Sequence, residues 1–261
     1  MKKLISIVLA VVLFATCTVM CTSCGKKELS DSEYVKEKGK LTVGITDFEP
    51  MDYKEDGQWI GFDADMATAF AKSLGVDVEF VEIVWDNKII DINSKTIDCV
   101  WNGMTLTDDV TASMECSKAY CNNAQIVIVP ADKADDYTTA EDCKDLKFAV
   151  ENGSAGQKAA EANNFSFTPV QDQATALMEV AGGTSDAAII DSLMAAAMVG
   201  EGTSYDMLTY TVSLTTEEYG VGFRKGSDLA EKLNEFFEAS IANGTLEATA
   251  AKYGVQAALV K

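Results

Sequence analysis

Residues Asp98 to Val110 read DCVWNGMTLTDDV, and how this stretch folds decides the architecture of the chain. An apolar run, Cys99-Val100-Trp101, meets Asn102-Gly103, and small polar side chains follow at Thr105 and Thr107, then the acidic pair Asp108-Asp109. Such a run bounded by turn chemistry predicts a buried strand that stops at Asn102-Gly103 and delivers polar groups to its exposed carboxyl end. Ligands of open α/β sheets bind at that end. An ordinary strand with a solvated turn reads the same way, so the flanking stretches have to decide.

Upstream, Leu41 to Ile45 (LTVGI) is a strand by its β-branched content. It enters a turn, Thr46 to Pro50, that carries Phe48, either a core residue of the loop or an aromatic lid over a ligand. Gly57 to Gly61 reads as a hairpin tip. Phe62, Met66, Phe70 and Leu74 then recur every four residues, marking one face of a helix that Gly75 ends. Asp77 to Val84 alternates as a strand, closes at Trp85-Asp86, and Lys88 to Asn93 begins the next helix. These short units imply right-handed βαβ crossovers and a parallel core. Phe48, Trp85 and Asn102 then share one rim of one sheet.

Downstream, Gln125 to Pro130 (QIVIVP) is a continuous apolar strand and Ala131 to Asp142 a polar surface loop. A second series follows: strand Leu146 to Val150, turn Glu151-Asn152-Gly153, helix Ser154 to Ala162, strand Phe165 to Val170, helix Gln173 to Ala181, strand Ala187 to Ile190. Its length and patterning match the first series, which predicts two α/β lobes. Gly153-Ser154-Ala155-Gly156 leaves backbone N–H groups at a helix start, suiting an anion or simply an N-cap. Asp191, after its strand, either caps the next helix or serves a site. Tyr205 to Thr216 is polar and β-like, Tyr219 to Phe223 is a strand, and two helices end the chain, divided at Asn243-Gly244.

Composition narrows the chemistry. The 261 residues hold 21 basic and 41 acidic side chains, for a formal net charge of −20. A nucleic-acid partner is excluded on that balance, and a cationic or zwitterionic small molecule fits it. There is no histidine, which removes Ser-His and Cys-His catalysis and the commonest zinc ligand. Cys99, Cys116, Cys121 and Cys143 show no metal or redox spacing; Cys116 and Cys121 could pair, but all four read as small buried hydrophobes. No cofactor and no metal are expected. At the N-terminus, Lys2-Lys3 and the apolar run Leu4 to Ala15 have the form of a secretory signal, residues 1–23, too short for a confident membrane span. Ser23 before Cys24 fits lipoprotein processing with Cys24 lipidated, Cys17 and Cys21 being rival positions whose preceding Thr16 and Met20 suit cleavage less well, and residues 24–33 read as a polar tether.

Together LTVGI, the Phe48-Pro50 turn, IGFDADMATAFAKSLGVDVEFV, NGMTLT, AVENGSAG, SDAAIIDS, EYGVGFRKGSDL and NGTL resemble the polar amino-acid solute-binding proteins of ABC importers, extracellular family 3. The resemblance spans essentially the whole mature chain. It implies a periplasmic-binding-protein-like type II fold: two α/β lobes joined by a two-segment hinge, closing on ligand. The crossings would lie near Cys121 to Gln125 and Thr211 to Ser213, giving lobe one residues 34–123 with 212–261 and lobe two residues 124–211. It further implies a lipid-anchored protein on the outer face of the cell membrane, with ABC permease subunits as partners and no enzymatic activity.

The same resemblance assigns candidate roles. Phe48 would cover the ligand side chain and Trp85 line the pocket. Asn102, Gly103 and Thr105 would contact its ammonium or carboxylate, Ser154 and Ala155 its carboxylate, and Asp191 its α-ammonium. Apart from the resemblance, the residues Asp47, Asp86, Glu151 and Asp191 could together make an acidic pocket that favours a cationic ligand. One position departs: five residues beyond Thr105 the family carries an arginine that grips the carboxylate, and this chain has Val110, its only arginine being Arg224. Either the N–H groups of Ser154 to Gln157, the Asn102 amide, or a lysine such as Lys88 or Lys118 take the carboxylate, or the ligand has no α-carboxylate in that place, as in an amine or a modified amino acid. A dehydratase-like enzyme on the same architecture is the alternative from another class, with Glu151 and Asp191 as an acid/base pair.

Overall fold

The computed structural model describes residues 29–260; the expected signal and Cys24 lie outside them. The stretch expected to be a tether is ordered sooner than that reading allows. Ser30 caps a helix, Asp31–Lys38, in a reciprocal capping box with Glu33, the S-x-x-E pattern of a helix start. The Ser32 N–H and hydroxyl donate to Asp228 at 2.9 and 2.5 Å, and Asp31 pairs with Arg224 at 3.0 Å. The end of the expected tether is therefore docked on the body of the protein.

Strands in chain order are β1 (Lys40–Ile45), β2 (Tyr53–Glu55), β3 (Gln58–Ile60), β4 (Asp77–Glu82), β5 (Cys99–Thr105), β6 (Glu115–Cys116) and β7 (Cys121–Asn123). They continue with β8 (Gln125–Pro130), β9 (Lys147–Glu151), β10 (Ser166–Val170), β11 (Ala187–Asp191), β12 (Leu208–Ser213) and β13 (Glu217–Phe223). One sheet runs β4-β1-β5-β13-β6, with β7 also on β13; the other runs β10-β9-β11-β8-β12. Each has the expected parallel core, β4-β1-β5 in one and β10-β9-β11 in the other, because helices Phe62–Leu74 and Ala155–Ala162 return the chain between neighbours. The strands that enter or leave a sheet at a crossing, β7, β8, β12 and β13, pair antiparallel, as does the short β6 on β13.

The crossings are short. Only Ala124 separates β7 in the first sheet from β8 in the second. The return lies at Leu214 to Thr216, beyond the expected Thr211 to Ser213, because β12 stays paired with β8 through Ser213. The two crossings bond to each other: Leu214 N–H donates to Gln125 O at 2.8 Å, and Gln125 N–H donates to Thr215 Oγ1 at 2.8 Å.

Two local readings change. The hairpin tip is Asp56-Gly57, both at positive φ (50° and 77°), and Gln58–Ile60 is already the returning strand. More consequentially, β5 does not stop at Asn102-Gly103 but continues through Thr105, with a register shift against β13. Gly103 sits at φ 53°, where a Cβ would lie 2.4 Å from the Phe48 ring. Thus the Asn-Gly pair forms an irregularity inside a strand, where the sequence suggests a turn.

Helix Phe62–Leu74 buries Phe62, Met66 and Phe70, and its C-cap Gly75 adopts the left-handed conformation. Beneath the first sheet, Trp101 meets Phe237 edge-on with centroids 5.6 Å apart, and Phe70 meets Phe236 at 5.5 Å. Arg224 is buried here as well, bonded to the Ile97 carbonyl at 3.0 Å and facing Asp31 and Asp98. Cys99, Cys116, Cys121 and Cys143 are all free thiols.

Candidate functional site

The carboxyl ends of the strands from both sheets meet at a cleft of about 220 Å³. The nine residues given site roles above border it, Phe48, Trp85, Asn102, Gly103, Thr105, Glu151, Ser154, Ala155 and Asp191, as does Asp86 of the expected acidic pocket, whereas Asp47 does not. Bordering it and being able to hold a ligand are different properties, and the hydrogen bonds separate them.

Asp191 ends β11 and is 5% exposed. It precedes helix Ser192–Met198 but makes no capping bond to it. Its carboxylate accepts from Tyr219 Oη and Gln125 Nε2, both at 2.8 Å, and from the Asn123 and Gln173 side-chain amides. Asn123 and Gln125 flank the first crossing, so this acid hangs directly on the hinge. Burial and the neighbouring Glu217 push it up to about 7. Glu217, at the start of β13, accepts from Asn123 Nδ2 and Gln125 Nε2, each at 2.7 Å, and from Thr105 Oγ1 at 2.8 Å. Sequence reasoning missed both Glu217 and Gln173; lying at a crossing and a helix start, neither shows a periodic pattern.

Several expected contacts are already committed. The Asn102 amide donates to Thr46 O (3.1 Å) and Asp52 Oδ2 (2.8 Å), while its oxygen accepts from the Thr46 N–H (3.0 Å) and hydroxyl (2.7 Å). Gly103 N–H donates to Asp63 Oδ2 at 2.7 Å. Asn102 and Gly103 therefore brace the floor of the cleft, and the Thr105 hydroxyl tethers Glu217. Phe48, 2% exposed, meets Tyr219 edge-on at 6.3 Å. Val110, 5% exposed, packs among Trp85, Met104 and Met114.

Glu151, at the end of β9, is 3% exposed and its Oε1 has no partner. Burial first, and Asp191 second, push it well above the usual carboxylate range. Ser154 caps helix Ala155–Ala162 by accepting from Gln157 N–H, which leaves the Ala155 and Gly156 N–H groups without intrahelical acceptors. Lys118 is remote, paired with Glu238 on the surface. Lys88 is in the cleft: its ammonium donates to Trp85 O at 3.1 Å and, across to the other lobe, to Gly153 O at 3.0 Å. Among the described residues no cluster of side chains is arranged to hold a metal ion.

The lobes are in contact around this cleft. Besides Lys88, Asn152 Nδ2 donates to Asp86 at 3.2 Å and Lys158 pairs with Asp109. Gly153, at φ 71°, passes so close that a Cβ would lie 2.5 Å from Asp86 Oδ1 and 2.9 Å from its Cα. Gly153→Ala is expected to lower unfolding stability by ~1–2 kcal/mol through the left-handed backbone. It should also weaken ligand affinity by about tenfold or more, because the Asp86 clash exists only when the lobes meet. Calorimetry beside urea unfolding separates the two; undiminished affinity would show that ligand is held without this approach.

The profile of the bacterial extracellular solute-binding proteins, family 3, matches residues 41–256. The L-cystine-binding protein TcyJ of Escherichia coli is 29% identical over 225 residues, 84% of each chain. A probable histidine-binding protein of Neisseria gonorrhoeae is 30% identical over 97% of this chain and 96% of its own. Among solved structures, an ABC uptake transporter substrate-binding protein from Streptococcus pneumoniae with bound histidine superposes with a TM-score of 0.80 at 28% identity, covering 89% of this chain and 99% of that one.

Proposed function

The chain belongs to family 3 of the bacterial extracellular solute-binding proteins, and from that premise we propose that it captures an amino acid in the cleft between its lobes and delivers it to an ABC permease. The observation that carries the reading is Asp191. It is a buried carboxylate fixed between the lobes, and among the described residues only neutral groups donate to it. A ligand α-ammonium supplies the missing positive charge, and a desolvated charge pair with further hydrogen bonds is a strong, directional contact. The three relatives above are named for binding roles, two of them for cystine and histidine, which supports a binder over a catalyst. Anchoring through Cys24 on the outer face of the cell membrane is part of the proposal and rests on the leader pattern and the Ser23-Cys24 step. No described helix is long and apolar enough to cross a membrane.

A second reading, a cationic amine without an α-carboxylate, is favoured by Asp86 and Asp191 on the cleft lining and by Val110. A thermal-shift screen over the twenty standard amino acids, cystine and their decarboxylated amines, followed by calorimetry, decides between them. No stabilisation by any amino acid would sink the first reading.

The pH dependence has a definite sign. Asp191 ionises near 7 in the unliganded protein, and only its ionised form pairs with an ammonium. Affinity should therefore fall as pH drops, by roughly 30-fold between pH 8 and 5.5 for one such proton. The folded protein responds oppositely. Asp191 and the buried Asp63 are both raised to about 7 from 3.8, so their protonation favours the fold below the unfolded value and that stability is lost as pH rises through about 7. The unliganded thermal midpoint should rise on acidification from pH 8 to 5.5 while the ligand-induced shift shrinks.

A further inference from the structure

We propose that Lys88 is the anchor for the ligand's carboxylate, a specificity-determining role that rests on the amino-acid reading above. Position 110 is an apolar valine, and the single arginine is buried away from the cleft against Asp31 and Asp98. Of the two lysines that border the cleft, Lys158 is already paired with Asp109 and is 44% exposed. Lys88 is only 7% exposed, yet among the described residues no carboxylate lies within ion-pair distance of it. Two carbonyl oxygens and the Trp85 ring, 4.7 Å from the ammonium to the centroid, are its recorded partners. An ammonium has three protons to donate, so one remains for a ligand.

A buried cation without a counter-charge is costly, and burial accordingly lowers Lys88 to about 8. It nevertheless stays mostly charged at neutral pH. The nearby acid, Glu151, does not supply the counter-charge, since burial favours its neutral form. Glu151 borders the same cleft, and its buried Oε1 has no partner within the protein.

Geometry then places the anion. Lys88 reaches the Gly153 carbonyl, and two residues further on the Ala155 and Gly156 N–H groups open helix Ala155–Ala162 with no acceptor of their own. A carboxylate seated there takes one charge-assisted bond from the first lobe and backbone bonds from the second. With Asp191 holding the ammonium, the cleft offers separate acidic and basic ends to a zwitterion. Because Lys88 and the helix start come from different lobes, the same contact favours closure.

The test uses the mature chain and its Lys88→Met and Lys88→Arg variants, titrated calorimetrically with the best amino acid from the screen and with the amine made by removing its carboxylate. Lys88→Met is close in length and removes a buried charge, and the thermal midpoint of the unliganded variant checks that it folds. It should weaken the amino acid about 10- to 100-fold and change the amine by less than about threefold, on the order of measurement and packing effects. Lys88→Arg should recover part of the loss. Equal weakening of both ligands, or an unchanged amino-acid affinity, overturns the assignment while leaving the amino-acid reading intact. A parent protein that binds amines alone overturns both, and the parent's own titrations tell these results apart.

Discussion

Asp191→Asn is expected to cost about 10²- to 10⁴-fold in affinity for any ligand carrying an ammonium, because a buried charge left without its partner loses ~3–5 kcal/mol. Asparagine keeps the shape of the side chain and an acceptor oxygen for the Asn123, Gln125 and Tyr219 donors, giving up only the Gln173 amide bond, so the fold should survive. At pH 8 the unliganded variant should melt no lower than the parent, since the parent buries an acid that burial and Glu217 push up to about 7. Binding lost while folding is kept is the signature of a ligand contact. Calorimetry and thermal unfolding on the same samples read both quantities, and affinity within fivefold of the parent would remove Asp191 from the site.

The second large effect concerns stability. Asp98 is fully buried, and its carboxylate accepts from Lys38 Nζ at 2.5 Å, Thr42 N–H at 2.7 Å and Arg224 Nη2 at 3.4 Å. Asp98→Ala orphans a buried backbone N–H and strips Lys38 of its anion. The expected loss is ~3–5 kcal/mol, a large fraction of the ~5–15 kcal/mol that holds a typical domain together. Urea unfolding should show it at a midpoint far below the parent's. Lys118→Ala breaks an ion pair whose two side chains are 69% and 68% exposed, and should leave the urea midpoint nearly where the parent's is. Similar losses from the two variants would contradict the network around Arg224.

The contrast between these variants tracks what the sequence discloses. Helices Phe62–Leu74 and Gln173–Ala181 were legible to their end residues because apolar spacing and a boundary signal agreed. The continuation of β5 through Asn102-Gly103 was not, since what fills the missing Cβ space is the Phe48 ring, more than fifty residues away in sequence. Composition could not show that the Asn102 amide is spent on Thr46 and Asp52, because that depends on how two strand ends abut. Lys88 stood among several lysines until burial against Trp85 set it apart. Ser30 and Glu33 did carry a readable helix start, masked by the polar composition around them. Asp191 was legible through its motif, while its four donors come from strands and helices scattered along the chain.

Ala124 and Leu214 to Thr216, bonded to each other through Gln125, act as one spindle with two threads. A spindle stitched along its length resists twisting and shearing, leaving a single book-like swing as the soft degree of freedom. The Gln125 side chain also reaches Asp191 and Glu217, so on the proposed function the charge of a ligand held at Asp191 acts on the axle itself. If the proposed delivery to a permease holds, loading is converted into an angle that a transporter outside the cleft senses without touching the solute.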